Sequence, residues 1–295
     1  MAGAQTRRFD RSLVGLGGAW RGRVEMRRAT SAVAHRPADG SLLTLLACSR
    51  ALVPWSLHLP PCLDLPGAGD EVVLERRRVG WHGQVVTLSG AGVELGLPVA
   101  LSLSRQALGR HLDELPVAPR TRALLEASGG SGLDDTVTRR AGLGLRRLCR
   151  CLIRDDAAEA KIGLAVAAMA GLGPGLTPTG DDLLVGVAGA ARRLAGARGL
   201  GRGRLEALAQ ALDALPAVTT TPVGRQMLSH AARGRFPEPL PRLLAALGDA
   251  DVEPAALAGL AEAVAALGSW SGCDMLAGAL ALTREWLEAG TGACP

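Results

Sequence analysis

The chain has no tyrosine, two phenylalanines and one lysine, Lys161, among 295 residues. With aromatics at 2%, stacking of nucleobases on aromatic faces is not an expected use, and the core must be aliphatic. Long apolar runs are also missing. The longest, Ile162–Gly173, is too short and too glycine-rich to span a bilayer, so no membrane segment is expected. The six cysteines, Cys48, Cys62, Cys149, Cys151, Cys273 and Cys294, lack zinc-site spacing, because Cys149-x-Cys151 has no second pair with histidines nearby. Arg7, Arg8 and Arg11 are not followed by the apolar stretch of a signal peptide, and a reducing cytoplasm is the expected setting. No Ser-His-Asp order, phosphate-binding loop ending in Gly-Lys-Ser/Thr, or paired-histidine metal motif occurs.

Arginine, alanine, glycine and leucine fill these places. The formal charge is +5. The arginines are spread out, with short runs only at Arg76–Arg78 and Arg146–Arg147, and a solvated surface accounts for them better than a nucleic-acid partner. Hydrophobic residues at 48% and charged residues at 21% are ordinary for a folded chain, and the length suggests two domains.

The expected fold class is α+β. Residues 1–104 read as a β-rich small barrel or sandwich, with short apolar or alternating runs at Arg23–Ala34, Ser41–Cys48, Pro54–Leu59, Glu71–Val79, Gln84–Ser89 and Val99–Leu103. Gly/Pro/Asp clusters separate them, and Trp55 and Trp81 are expected in the core. Residues 105–295 read as an all-α domain; the domain change falls near residues 104–120, where Leu115–Pro119 reads as a linker. Leu205, Leu208, Leu212 and Leu215 recur at helical spacing, as do Leu257, Leu260, Val264 and Leu267. Ala255–Ala266 and Met275–Leu287 have weak polar faces and are expected inside a bundle, while Ser128–Gly132 and Gly196–Gly203 read as exposed loops.

The most informative stretch is Gly171–Gly186, GLGPGLTPTGDDLLVG. Gly171, Gly173, Gly175 and Gly180 let backbone amides approach a ligand, Pro174 and Pro178 restrict the loop, and Thr179 reads as an N-cap. A glycine-rich approach to a helix N-terminus is a ready anion site. Ser271–Gly278 repeats the core of this motif as [Thr/Ser]-Gly-x-Asp-x-Leu-x-Gly, with Asp182 and Asp274 separated by 92 residues. In each copy Asp and the last Gly share a helix face one turn apart, where a small residue admits another backbone or a ligand. Thr179/Asp182 and Ser271/Asp274 also fit a capping box, which would make both motifs mere helix starts. The likeness of the two copies favours one shared pocket at converging helix N-termini.

A third cluster, Thr219-Thr220-Thr221-Pro222-Val223-Gly224-Arg225, puts hydroxyls before a helix that opens on Pro222, with Arg225 one turn inside. Such a start can hold a carboxylate or phosphate, or it can be an ordinary capped helix. His230 on the same helix reads as structural. The substrate-binding candidates are Gly173, Gly175, Thr177, Thr179, Gly180, Thr220, Thr221, Arg225, Ser271 and Gly272. The catalytic candidates are Asp181, Asp182 and Asp274.

GLGPGLTPTGDDLLVG, TTTPVGRQML with the following Ala232-Arg233-Gly234-Arg235-Phe236, and GSWSGCDMLAGALA resemble the bacterial AllH family, whose name refers to an oxamate carbamoyltransferase subunit. The matching motifs lie between Gly171 and Leu282, and the family pattern often carries His where this chain has Ser269. The resemblance implies a cytoplasmic protein of allantoin and purine-nitrogen catabolism that acts with two other subunits. Its reaction would exchange oxalurate and phosphate for oxamate and carbamoyl phosphate. No catalytic residues come with the resemblance. From the residues themselves two alternatives stay open. One is a hydrolase whose clustered aspartates hold Mg²⁺; the other is a non-catalytic binding or scaffold subunit.

Overall fold

The structure is a computed structural model that describes residues 4–16, 18–97, 103–127, 133–154, 158–195 and 200–291. It divides into two compact units, Met1–Leu95 and Gly96–Pro295.

Among the described residues the first unit is one eight-stranded sheet. Its strands are β1 (Ala4–Thr6), β2 (Trp20–Arg28), β3 (Ser31–Arg36), β4 (Ser41–Ala47), β5 (Ser56–Leu59), β6 (Glu71–Glu75), β7 (Arg78–Trp81) and β8 (Gln84–Leu88), in the order β1-β8-β7-β6-β2-β3-β4-β5. The chain just after β1 lies against β5. Asp10 N–H donates to the Ser56 carbonyl and His58 N–H to that of Arg8, each at 2.8 Å, so the sheet nearly closes into a barrel. Phe9, Trp20, Val24, Leu43, Leu45, Leu57 and Val86 fill its interior.

Two runs that read as single strands are hairpins. Arg23–Ala34 covers parts of β2 and β3, which pair antiparallel, and Glu71–Val79 covers β6 and part of β7. Neither turn contains glycine or proline; the second is made by Arg76 at φ 52°. Without the usual turn residues a sequence pattern has nothing on which to divide the run. Trp81 is 4% exposed, in the core. Trp55 instead occupies the turn before β5 at φ 58° and packs half-buried against the core edge. The run Val99–Leu103 falls almost wholly outside the described residues.

The second unit has ten α-helices among its described residues: α1 (Arg105–Glu114), α2 (Pro119–Glu126), α3 (Leu133–Ile153), α4 (Ala158–Met169), α5 (Thr179–Leu194), α6 (Arg202–Asp213), α7 (Pro222–Ala232), α8 (Pro239–Leu247), α9 (Pro254–Ala265) and α10 (Ser271–Thr291). Helix α5 is the centre of this unit, buried at every residue from Thr179 to Ala191. Its glycines and alanines let neighbours approach closely on all sides. Helix α10, the Met275–Leu287 segment, packs along it and is buried as expected. Helix α9 departs from expectation, burying only Leu257, Ala261 and Val264. Its alanines are small enough to sit in water at little cost, which is why a weak polar face did not mean an interior helix. Ser128–Gly132 and residues 196–199 lie outside the described residues, and Arg202 and Gly203 already belong to α6.

Several arginines serve as more than a solvated surface. Arg105 donates to the Trp286 and Leu287 carbonyls near the end of α10 and stacks on the Trp286 ring at 3.9 Å. Arg204 donates to the Leu152 and Ile153 carbonyls that end α3, at 2.8 and 2.7 Å. At the end of α3 the positive side chain satisfies acceptors the helix leaves open.

The motif repeat seen in the sequence is a repeat of structure. In the first copy, Leu172 N–H donates to the Met169 carbonyl at 3.0 Å and Gly180 N–H to the Leu172 carbonyl at 2.9 Å. In the second, Leu267 N–H donates to the Val264 carbonyl and Gly272 N–H to the Leu267 carbonyl at the same distances. A Cβ on Gly180 would overlap the Met169 carbonyl oxygen, and one on Gly272 that of Val264. The pair α4–α5 is thus matched by α9–α10. From Leu172 to Gly180 the first copy spends three residues more than the second does from Leu267 to Gly272.

Candidate functional site

The two copies meet face to face. A Cβ on Gly186 would overlap the Met275 carbonyl oxygen, and one on Gly278 would overlap that of Leu183. Met275 and Leu183 each directly follow the motif aspartate, so the contact is reciprocal. Four residues after each Asp, glycine lets the opposite backbone come close, and both helix starts converge. Asp182 and Asp274 are consequently near enough to act on each other electrostatically. Each of Asp181, Asp182 and Asp274 is only 1% exposed, so the convergence is closed over rather than an open bowl.

Asp274 is fully engaged. Arg120, in the first turn of α2, donates to it through Nε at 2.6 Å and Nη2 at 2.9 Å. The same Nη2 donates to Thr179 Oγ1 at 2.9 Å, so one guanidinium spans both helix starts, and it also lies 5.0 Å from the Trp270 ring. Burial pushes the Asp274 carboxyl above its ordinary range, and Arg120 pulls it back. Thr179 is therefore not the N-cap of α5. The cap position is Pro178, whose carbonyl accepts from the Asp181 and Asp182 amides, while the Thr179 hydroxyl is committed to Arg120. No capping box forms in this copy.

Asp181 faces away from this pair. It accepts from Gly171 N–H at 2.8 Å and from the Thr220 hydroxyl, and its carboxyl is raised by burial and lowered by these bonds. It ties the glycine-rich loop to the chain before α7. Thr221 caps α7, accepting from Gly224 N–H at 2.9 Å, and its hydroxyl also donates to the Leu176 carbonyl. Pro222 opens the helix as expected. Arg225 is half-buried one turn later, and its guanidinium makes no hydrogen bond or ion pair among the described residues.

Asp182 is the exception. Both carboxylate oxygens are buried with no hydrogen-bond partner. Thr177 Oγ1 and Ser271 Oγ bond to each other at 2.8 Å, bridging the loop to the start of α10. They lie near enough to ease the Asp182 charge, yet neither reaches hydrogen-bonding geometry with it. Burial therefore dominates and raises this carboxyl well above its ordinary range, helped by the neighbouring Asp274 and Asp181 charges. A buried, unsatisfied carboxyl group requires an explanation.

The loop supplies the opposite polarity. Gly171, Gly173 and Gly175 all have positive φ, at 74°, 109° and 105°. The amides of Gly173, Gly175, Leu176 and Thr177 donate to no acceptor among the described residues. The Gly180 and Gly272 amides are spent on Leu172 and Leu267, so these two glycines serve helix packing. Among the described residues no three His, Cys, Asp or Glu side chains group so as to hold a metal ion. Asp181 is held by Gly171 and Thr220 and Asp274 by Arg120, which leaves Asp182 as the one uncommitted carboxyl of the three. The Asp155-Asp156 pair and the side chains of Asp134-Asp135 lie outside the described residues.

Arg120 has no signature in the sequence. It is the second residue of α2, and only the fold brings it to Thr179 and Asp274.

The model of one protein family, described as oxamate carbamoyltransferase subunit AllH, matches residues 169–283. That stretch runs from the last residue of α4 into α10 and holds both motif copies and the threonine cluster, with Arg120 outside it. No curated protein and no solved structure matches the chain. Among the described residues no helix is long and apolar enough to cross a membrane.

Proposed function

We propose that this chain is a subunit of an oxamate carbamoyltransferase and that the convergence of α5 and α10 holds its small anionic substrate. The observation that carries this reading is the AllH match, which covers the only uncommitted carboxyl among Asp181, Asp182 and Asp274 together with the loop whose amides lack acceptors. Oxalurate and oxamate each combine a carboxylate with an N–H-bearing amide. Loop amides at Gly173–Thr177 suit the carboxylate or a phosphate, with Arg225 as a further cation, and Asp182 suits the N–H groups.

In the reaction, a phosphate oxygen attacks the terminal ureido carbonyl of oxalurate. The bond from that carbon to the inner nitrogen breaks, and the departing nitrogen takes a proton to give oxamate beside carbamoyl phosphate. Charge develops on the attacked carbonyl oxygen, and fixed N–H donors aimed there lower the barrier. The cytoplasm and allantoin catabolism are the proposed setting, with two further subunits as partners.

The test is carbamoyl phosphate formation from oxalurate and phosphate by this chain, alone and with those two subunits. Turnover only in the complete assembly supports a subunit role. No turnover in any combination rejects the reading. Turnover by an assembly lacking this chain would leave it a dispensable scaffold.

A further inference from the structure

The repeat supplies an internal comparison that shows what a carboxyl group at this position binds. Asp274 and Asp182 occupy equivalent places in the two copies: each stands three residues after the Thr or Ser that opens its helix and four before a glycine packed on the opposite backbone. In the second copy the carboxylate is filled by the planar guanidinium of Arg120, which presents two N–H groups at 2.6 and 2.9 Å. In the first copy no protein group fills that role, and both oxygens of a side chain 1% exposed remain without a partner. Leaving such a group unsatisfied is costly in a finished protein interior. The cost is removed if a ligand brings the missing donors.

We infer that the Asp182 carboxyl group is the receptor for the planar N–H edge of a carboxamide or ureido group, filling on the ligand's side the role that Arg120 fills for Asp274. The alternative occupant, an anionic phosphate or carboxylate end, fits the position poorly. Asp274 and Asp181 are already close, and Arg120 is committed to Asp274 and Thr179. The loop amides of Gly173–Thr177 are the complementary place for the negative end.

This inference deepens the carbamoyltransferase reading, which supplies the choice of probe. Its test is equilibrium binding, which does not depend on turnover. The full chain is titrated calorimetrically with oxamate and with N,N-dimethyloxamate, which keeps the carboxylate and carbonyl but has no N–H. Oxamate should bind about tenfold or more tightly than its dimethyl analogue, the contrast expected when hydrogen bonds to a charged or buried acceptor are lost. In Asp182→Ala that contrast should vanish, with oxamate falling to the level of the dimethyl compound. Equal binding of the two probes to the unaltered chain overturns the inference whether or not the variant folds, and so does the absence of saturable oxamate binding. If the N–H preference is found but the assembled subunits transfer no carbamoyl group, the inference stands and the transferase reading falls. If they turn over without the N–H preference, the transferase reading stands and the inference falls.

Discussion

The barrel and the helical unit each bury an aspartate completely, and they treat it in opposite ways. Asp10, after β1, is 0% exposed and accepts from Ser12 N–H at 3.0 Å and Trp55 N–H at 2.7 Å. It fastens the positive-φ turn at Trp55 to the chain that closes the sheet. Asp182 is 1% exposed and accepts from nothing. Burial alone does not separate a carboxylate held for the fold from one proposed to receive a ligand. The separation lies in whether the fold supplies the donors, because an isolated buried charge is expensive and is kept only where something else completes it. Asp274 sharpens the contrast within one unit: it sits in the same local motif as Asp182, and Arg120 satisfies it.

The largest expected effect comes from turning Asp274 into an unsatisfied group. Arg120→Met keeps the aliphatic stem of the side chain but strips the donors from the buried Asp274 carboxylate, and a buried charge left without its partner costs about 3–5 kcal/mol. Urea unfolding should report that loss. Adding Asp274→Leu should recover much of it, because an apolar pair replaces the buried ion pair. If Arg120→Met costs less than about 1 kcal/mol, Asp274 tolerates isolation and its contrast with Asp182 collapses. A smaller effect is expected in the barrel. Asp10→Ala leaves the Trp55 amide without its acceptor and should cost about 1–3 kcal/mol in the same measurement.

How much of this was legible follows from where each signal resides. The α+β division was legible because alternation and helical spacing are local patterns. The motif repeat was legible too, because it is written twice in the same letters; Gly186 and Gly278 showed where a backbone would come close, although the approaching backbone is that of the other copy. The hairpin turns at residues 29–30 and 76–77 were not legible, because neither carries glycine or proline and Arg76 takes up positive φ itself. Nor could a sequence separate the three aspartates. Asp181 and Asp182 are neighbours on a helix, but successive residues point about 100° apart, which turns one toward Thr220 and the other toward the second copy. Thr179 looked like a cap until Arg120, 59 residues away, claimed its hydroxyl. Side chains that meet only through tertiary structure leave no mark on the spacing of either segment.

The smallest expected effect has the sign that best distinguishes the two buried aspartates. The folded-state pKa of Asp182 is raised above its unfolded value, so the folded chain holds that proton more tightly than the unfolded chain does. Between the ordinary carboxylate value of about 4 and the raised folded value, stability therefore falls as pH rises, and above the raised value the whole penalty is present. Asp182→Asn removes the titration while keeping the shape. Its melting temperature at pH 8 should lie above that of the unaltered chain, by about 2–4 °C for each kcal/mol released. The gain should shrink with acidification and be gone near pH 4. Asp10→Asn gives up a carboxylate already matched to donors and should lower the melting temperature at pH 8. A loss of stability from Asp182→Asn at every pH would mean that Asp182, like Asp10, is held for the fold, and that the helical unit keeps no carboxyl group in reserve for a ligand.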